Sequence, residues 1–280
     1  EAYRKYADAG WMGIACDPAF GGQGLPLALG NAVNEMIHSA CMSFALCPTL
    51  THGAVEALSA HGTTAQKQVF LTRMISGEWT GTMNLTEPQA GSDVGALTSK
   101  AVRRPDGTYA ITGSKIFITY GEHEMSRNIV HLVLARLPDA PSGTRGISLF
   151  LVPKYIPGAN GVPGARNDLR CIGIEEKLGI HASPTCTMAY GENGGAIGYL
   201  VGEENRGMNC MFTMMNNVRL SVGLEGVAIG ERAYQQALAF ALERRQGKPF
   251  GYKQMAPIAA HADVRRMLLT MKSLVQAARG

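Results

Sequence analysis

The 280-residue sequence has no apolar run long enough to cross a lipid bilayer. Its longest apolar runs are of the size of "ISLFLV" (Ile147 to Val152), whereas a membrane-spanning helix needs about 20 consecutive apolar residues. We therefore predict no membrane span. Sustained basic segments are also missing, since the net charge is only +4 and the densest basic features are pairs such as Arg103 and Arg104. The sequence thus gives no case for nucleic-acid binding.

Cysteine is sparse, and none of the six cysteines forms a C-x-x-C pair. This spacing argues against a zinc site and predicts reduced, partly buried thiols in a reducing compartment. The predicted location is the cytoplasm, with the mitochondrial matrix as the alternative. The sequence begins with Glu1 rather than Met, so we expect its natural start to be missing. A targeting segment therefore cannot be assessed from this chain. No metal site is predicted.

The hydrophobic spacing predicts an α+β protein in three successive regions. From Leu27 to Ser76, apolar residues recur every three or four positions, as in an amphipathic helix, with a new helix start at Thr63 or Thr64. An antiparallel β barrel or sandwich is expected from about Thr82 to Val201, because short β-rich runs alternate with turn residues. The predicted domains are an N-terminal helical domain at 1–81, a middle β domain at 82–203, and the first helices of an incomplete helical bundle at 204–280.

Two local patterns refine this outline. The Asp106–Gly107 pair lies between strand-like runs, which is a strong hairpin signal. In the last region an apolar stripe predicts a long helix, followed by a second helix near Pro257. That stripe consists of Leu220, Leu224, Val227, Tyr234, Leu238 and Leu242. Within it, Gly223, Gly226 and Gly230 each cost about 1 kcal/mol relative to Ala, which indicates either a loop or the close approach of a neighbouring helix or ligand.

One loop is unusually dense in hydrogen-bonding groups. "MNLTEPQAGSDVGALTSKA" (Met83 to Ala101) follows a strand-like segment and concentrates Thr, Glu, Gln, Ser and Asp. A simple connection between two strands does not need so many polar groups. We therefore predict that this loop binds a ligand.

Four motifs that include this loop resemble, in order, those of the acyl-CoA dehydrogenase flavoprotein family. They are "LTEPQAGSD" (Leu85 to Asp93), "KIFITYG" (Lys115 to Gly121), "EKLGIHASPT" (Glu176 to Thr185) and "ENRGM" (Glu204 to Met208). The resemblance covers nearly the whole chain and is greatest to the branch that acts on 3-methylmercaptopropionyl-CoA. It implies bound FAD and the α,β-dehydrogenation of an acyl-CoA thioester, in which a general base removes the α-proton while the β-hydride passes to flavin N5.

The resemblance also implies roles for individual residues. Glu87 is expected to fix its loop rather than to act in catalysis. The FAD-binding residues would be Met83, Leu85, Thr86, Phe117, Ile118 and Thr119, together with Arg244 and Gln246, which would reach the FAD of a neighbouring subunit. The substrate-binding residues would be Ser92, Asn216 and Arg219. From the residues alone, a core aromatic of a strand is the favoured interpretation of Phe117. For Arg244 a solvated helix end is the alternative.

The resemblance leaves the general base unassigned. Most relatives carry it as a Glu on a later helix, which we expect beyond Gly280, and a minority place it at the position of Val218. The expected partners are an acyl-CoA substrate, an electron-transferring flavoprotein or similar acceptor, and further copies of the chain in a homodimer or homotetramer. Two alternatives stay open, namely an acyl-CoA oxidase of the same fold and a non-catalytic flavin-binding relative associated with DNA.

Overall fold

The computed structural model describes residues 1–158 and 161–280, which form two compact units. The first comprises Glu1–Gly30 and Ser43–Arg219, and the second comprises Asn31–Met42 and Leu220–Gly280. Along the described residues, helices come first, then strands, then helices again. This order confirms the predicted α+β class, whereas the proposed domain boundaries stay a prediction.

The N-terminal helices lead directly into the first strand. They are α1 (Ala2–Asp8), α2 (Leu27–His61), α3 (Thr64–Gln66), a π-helical turn (Lys67–Leu71) and α4 (Thr72–Ile75), with short 3-10 turns at Trp11–Gly13 and Pro18–Phe20. Cys41 departs from helical geometry within α2, with φ −157° and ψ 95°. Thr63 caps α3, and its hydroxyl accepts a hydrogen bond from the Gln66 amide at 3.2 Å, as the sequence predicted.

The middle of the chain forms a curled sheet. Its strands are β1 (Trp79–Asn84), β2 (Lys100–Arg103), β3 (Tyr109–Thr119), β4 (Asn128–Arg136), β5 (Ile147–Pro153), β8 (Leu169–Ile174), β9 (Thr185–Tyr190) and β10 (Ala196–Val201), while β6 (Tyr155–Pro157) and β7 (Pro163–Arg166) pair separately. Two 3-10 turns lie between strands, at Val94–Ala96 and Thr144–Gly146. The strand order is β1-β4-β5-β10-β3-β9-β8, and β2 bridges β3 and β4, so the sheet curls on itself. The antiparallel β2–β3 pair encloses the predicted Asp106–Gly107 turn.

Two pairings differ from the antiparallel pattern that the sequence predicts: the β1–β4 pair and the short β2–β4 contact between Lys100 and Arg136 are both parallel. The first strand begins at Trp79 rather than near Thr82, and it pairs with β4 in parallel. Parallel neighbours need a long connection between them, and here the β2–β3 hairpin provides it. Local alternation of residues cannot reveal this orientation, because side chains alternate in the same way in both kinds of pair.

Strand β4 lies between two hydrophobic cores of the first unit. Val130, Leu132 and Leu134 on one face pack into a core shared with α2, α4 and Trp79. On the other face, Val133 and Ala135 line the interior of the curled sheet. Burial on both faces explains why the sequence of this strand is almost continuously apolar.

The second unit contains most of α5 (Gly207–Glu243) and all of α6 (Ala262–Arg279), with a 3-10 turn at Ile258–Ala260 before α6. Gly230 of α5 faces α6, since a Cβ at this glycine would lie 2.9 Å from Val275 Cγ2. The predicted close approach therefore applies to Gly230, while a Cβ at Gly223 or Gly226 meets no described atom within 4 Å. The two ends of the predicted apolar stripe, Leu220 and Leu242, are exposed.

Candidate functional site

The candidate site begins where β1 ends and the polar loop starts. Asn84 is buried, and its side chain donates to Thr82 Oγ1 at 2.9 Å and accepts from the Tyr190 hydroxyl at 2.8 Å. The half-buried Met83 and Leu85 pack against the core shared with the helices. These contacts fix the backbone at the point where it leaves the sheet.

Glu87 is the centre of the loop that follows. Its side chain is 2% exposed, and each carboxylate oxygen accepts several hydrogen bonds. Oε1 accepts from Lys115 Nζ at 2.8 Å and the Ser99 amide at 3.1 Å, and Oε2 accepts from the Thr98 amide and hydroxyl and from Gln89 Nε2 at 2.7–2.9 Å. The carboxylate thus joins both ends of the loop to β3, an arrangement that supports the predicted structural role.

The charge state of this carboxylate is set by its surroundings. Burial by itself would raise the pKa of Glu87, but the neighbouring Lys115 ammonium and the hydrogen bonds from Ser99 and Thr98 outweigh it and lower that pKa to about 2. Burial also lowers the pKa of Lys115, and the Glu87 charge opposes this change. Glu87 is therefore ionised at neutral pH and is poorly suited to accept a proton as a general base.

Strand β3 carries the second half of the site and is irregular there. The register between β3 and β9 shifts between Lys115 and Ile118, and Phe117 within this bulge has φ 60°. A bulge redirects side chains, and here it leaves Ile118 buried while Phe117 is 57% exposed. Phe117 is therefore not a core aromatic. Non-glycine residues at positive φ are strained, and such strain is concentrated at functional sites.

The loop and the bulge are adjacent, because the Ile116 amide donates to the Thr86 carbonyl at 2.9 Å. In residues 1–158 and 161–280, the Thr86 amide and the hydroxyls of Thr86 and Thr119 have no hydrogen-bond partner. Three unpaired polar groups thus lie on neighbouring segments, beside an exposed aromatic ring. A flat ring system with a polar edge, such as an isoalloxazine, matches this combination of groups.

The remaining predicted site residues lie in the polar loop, on α5 and just after α5. Ser92 is exposed in the loop, and Asn216 and Arg219 are exposed on α5, where Arg219 Nη1 approaches Asn216 Oδ1 at 3.5 Å. Arg244 and Gln246 are exposed just after α5 and belong to the second unit. No contact in the described residues tests their proposed functions, so these assignments stay predictions.

Val218, at the position that a minority of relatives use for the base, and Glu225, further along α5, are also poorly placed to act as one. Val218 packs against Gly53 of α2, since a Cβ at that glycine would lie 2.9 Å from Val218 Cγ2. Glu225 is buried, with Oε1 located 3.2 Å from His38 Nε2. Val218 is apolar and engaged in packing, and Glu225 is buried beside His38, away from the polar loop and the β3 bulge in sequence.

Four buried residues that hold the end of β1 and the polar loop in place were not identified from the sequence. Lys115, Asn84, Tyr190 and His131 are all buried. His131 Nδ1 lies 2.7 Å from Thr82 Oγ1, and burial lowers the pKa of His131 to about 3, so the ring is neutral at physiological pH. A lysine within the apolar strand "KIFIT" was the one available signal, because a buried lysine requires a partner.

Two kinds of feature are not found among the described residues. No group of three or more His, Cys, Asp or Glu side chains is arranged to hold a metal ion. No helix in the described part of the chain combines the length and the apolar character needed to cross a membrane.

Comparison with known proteins places these observations in a family. The N-terminal domain model of acyl-CoA dehydrogenases matches residues 1–78, and the middle domain model matches residues 82–192. The 3-methylmercaptopropionyl-CoA dehydrogenase of Ruegeria pomeroyi is 55% identical over 280 residues, which cover 99% of this chain and 47% of that protein. The chain spans about half the length of the curated relatives it matches.

Solved structures agree with this result. Butyryl-CoA dehydrogenase from Megasphaera elsdenii superposes with a TM-score of 0.83 at 25% identity, covering 99% of this chain and 68% of that chain. An acyl-CoA dehydrogenase complexed with FAD from Bacillus anthracis gives a TM-score of 0.82 at 24% identity, covering 99% and 44% of the two chains, and at this identity it supports the fold alone. The predicted fold class and family resemblance are confirmed.

Proposed function

Because the chain belongs to the acyl-CoA dehydrogenase family, we propose that it forms the flavin-binding part of an FAD-dependent enzyme that dehydrogenates acyl-CoA thioesters between Cα and Cβ. The observation that carries this proposal is the unpaired Thr86 amide beside the exposed, strained Phe117. FAD, when bound, would supply the hydride acceptor for the reaction.

The residues present fit this cofactor. The Thr86 amide and hydroxyl would donate to the pyrimidine edge of the isoalloxazine, where negative charge develops on reduction, and the fixed loop holds these donors in place beforehand. Phe117 would lie against the ring and exclude water from one face, and the Thr119 hydroxyl would donate near N5. Each donor role requires a polar group that is not already hydrogen-bonded, and in the part of the chain that the structure describes the Thr86 amide and the two hydroxyls meet that requirement.

We assign no residue of this chain to the removal of the α-proton. Glu87 is ionised and fully hydrogen-bonded, Glu225 is buried with its Oε1 located 3.2 Å from His38 Nε2, and Val218 is apolar. We propose that a carboxylate outside these 280 residues performs this step. General-base catalysis contributes about 10²–10⁴-fold, so we expect the 280-residue chain to bind flavin but to turn over acyl-CoA very slowly.

The substrate and partners follow from the same premise. The 55% identity to the Ruegeria enzyme makes 3-methylmercaptopropionyl-CoA the first substrate to test. Ser92, Asn216 and Arg219 would contact the acyl-CoA, and Arg244 and Gln246 would contact the FAD of a second copy of the chain in a homodimer or homotetramer. Electrons would pass to an electron-transferring flavoprotein or a similar acceptor.

Flavin spectroscopy tests the proposal. The purified chain, reconstituted with FAD and desalted, should be yellow and keep the absorption bands of oxidised flavin. Bleaching after anaerobic addition of acyl-CoA to a protein extended to the length of the curated relatives would establish the dehydrogenation. Rapid reoxidation by air would favour the oxidase alternative. A well-folded protein that stays colourless after reconstitution would disprove the assignment.

A further inference from the structure

Lys115 of β3 is buried next to the polar loop and bonds to two residues of that loop, Leu85 and Glu87. Its side chain is 0% exposed, and its ammonium lies 2.8 Å from Glu87 Oε1 and 3.0 Å from the Leu85 carbonyl oxygen. A buried ammonium without partners strongly destabilises a folded protein. The fold therefore depends on both acceptors of the Lys115 ammonium.

The contact with Leu85 is the more informative of the two. Glu87 has four other donors, whereas in residues 1–158 and 161–280 Lys115 supplies the one side-chain donor to the Leu85 carbonyl. The peptide group is planar and trans, so its carbonyl and amide point in opposite directions. When Lys115 holds the Leu85 carbonyl inward, the Thr86 amide must point outward.

The next peptide is fixed as well. The Thr86 carbonyl accepts from the Ile116 amide at 2.9 Å, and the Glu87 amide donates to the Ala90 carbonyl at 3.0 Å. Both peptides that flank Thr86 are therefore held by β3 or by the loop itself. Within the described residues, the outward Thr86 amide has no hydrogen-bond partner.

We propose that Lys115 is a positioning residue: through the Leu85 carbonyl it orients the Leu85–Thr86 peptide so that the Thr86 amide faces the flavin. This inference rests on the proposed function for the identity of the ligand, while the orientation of the peptide can be tested without any ligand. A lysine suits this place because one compact ammonium can serve a carbonyl and a carboxylate together.

The test must separate positioning from folding. Lys115→Met removes the ammonium but leaves the Glu87 charge buried, and it can prevent folding for that reason alone. The double variant Lys115→Met/Glu87→Gln removes both charges at nearly constant volume. The one amide oxygen that replaces the carboxylate can still accept from the Thr98 amide and hydroxyl, while the hydrogen bond from the Ser99 amide is lost. Glu87→Gln alone is the matched control, because it keeps the Lys115 donor to the Leu85 carbonyl. It also leaves the buried Lys115 ammonium without its counter-ion, so circular dichroism must first show that this variant is folded.

The first measurement uses the apoprotein. In protein labelled with ¹⁵N-threonine, the Thr86 amide resonance should shift or broaden in the double variant and stay close to its original position in Glu87→Gln. An unshifted Thr86 resonance in a folded double variant would refute the inference. This result does not depend on FAD, so a chain that fails to bind FAD would overturn the proposed function and leave this test intact.

The second measurement uses the flavin. The dissociation constant for FAD should rise about tenfold in the double variant relative to Glu87→Gln. If the reduced flavin loses a further tenfold in affinity relative to the oxidised form, its reduction potential falls by about 30 mV. An unchanged dissociation constant and potential in the folded double variant would show that Lys115 has a structural role alone.

Discussion

The strain at Phe117 leads to a stability prediction whose sign is unusual. In an ordinary strand, Gly is less stable than Ala by about 0.5–1 kcal/mol, because Gly loses more backbone entropy on folding. At φ 60° the order should reverse, since a residue with a Cβ costs about 1–2 kcal/mol in the left-handed region. We therefore expect Phe117→Gly to be more stable than Phe117→Ala by about 1 kcal/mol.

The comparison between the two variants isolates this backbone effect. Both lose the same half-exposed phenyl ring, so the loss of apolar contact cancels in the difference. Val102 in β2 is a matched control, because it is also exposed on a strand and does not have a positive φ. There, Val102→Gly should be less stable than Val102→Ala by the usual 0.5–1 kcal/mol.

Urea unfolding of the four apoproteins would provide these values, and a difference of 1 kcal/mol corresponds to about 2–4 °C in the melting temperature of a protein of this size. Both Phe117 variants should bind FAD more weakly than the parent, to a similar extent, because both lack the ring. If Phe117→Gly is less stable than Phe117→Ala, as at Val102, then Phe117 is not held in the left-handed conformation and the strain argument is wrong.

Three further predictions concern Thr119, Arg244 and Glu87. Thr119→Val should slow flavin reduction by acyl-CoA more than it weakens FAD binding, by about 1–3 kcal/mol, because a donor near N5 gains importance as the hydride arrives; equal reduction rates would remove Thr119 from the site. Arg244→Ala should lower FAD content and oligomer size together across a dilution series, whereas lost flavin at unchanged size would place this contact within one subunit. The ionised Glu87 contributes its full stabilisation above its unfolded pKa of about 4.5, and this contribution is lost as the pH falls toward its folded pKa of about 2. In an acid titration, the stability of Lys115→Met/Glu87→Gln should therefore fall less than that of the parent over this pH range. An identical acid transition in the two proteins would contradict the lowered pKa of Glu87.

Elements governed by local periodicity could be predicted from the sequence. The helices, the hairpin at Asp106–Gly107 and the cap at Thr63 depend on residues a few positions apart. The parallel pairing of β1 with β4 joins segments far apart in the chain, so local patterns carry no information on it. Local patterns also fail for Leu220 and Leu242. Their apolar character predicts burial, yet they are 60% and 58% exposed.

In the candidate site, the sequence motifs identified the segments but not the orientation of their side chains. The loop and the "KIFIT" strand were found because their residue types match a known family, yet the composition of that strand alone favoured a core role for Phe117. The bulge reverses this interpretation, because a shift in register turns the ring out of the sheet while Ile118 remains in the core. Lys115 shows the opposite case, since a charged residue that would ordinarily be assigned to the surface is fully buried.

Lys115 and Phe117 have different roles within the same short segment of β3. Lys115 supports the loop from inside through Glu87 and Leu85, while Phe117, two positions later, faces outward across the irregular backbone. In a regular strand, residues two positions apart point to the same face, so one side chain could not anchor the loop while the other met a ligand. The bulge removes this restriction, and its strain is the energetic cost of placing an anchor and a ligand-facing ring on one short segment.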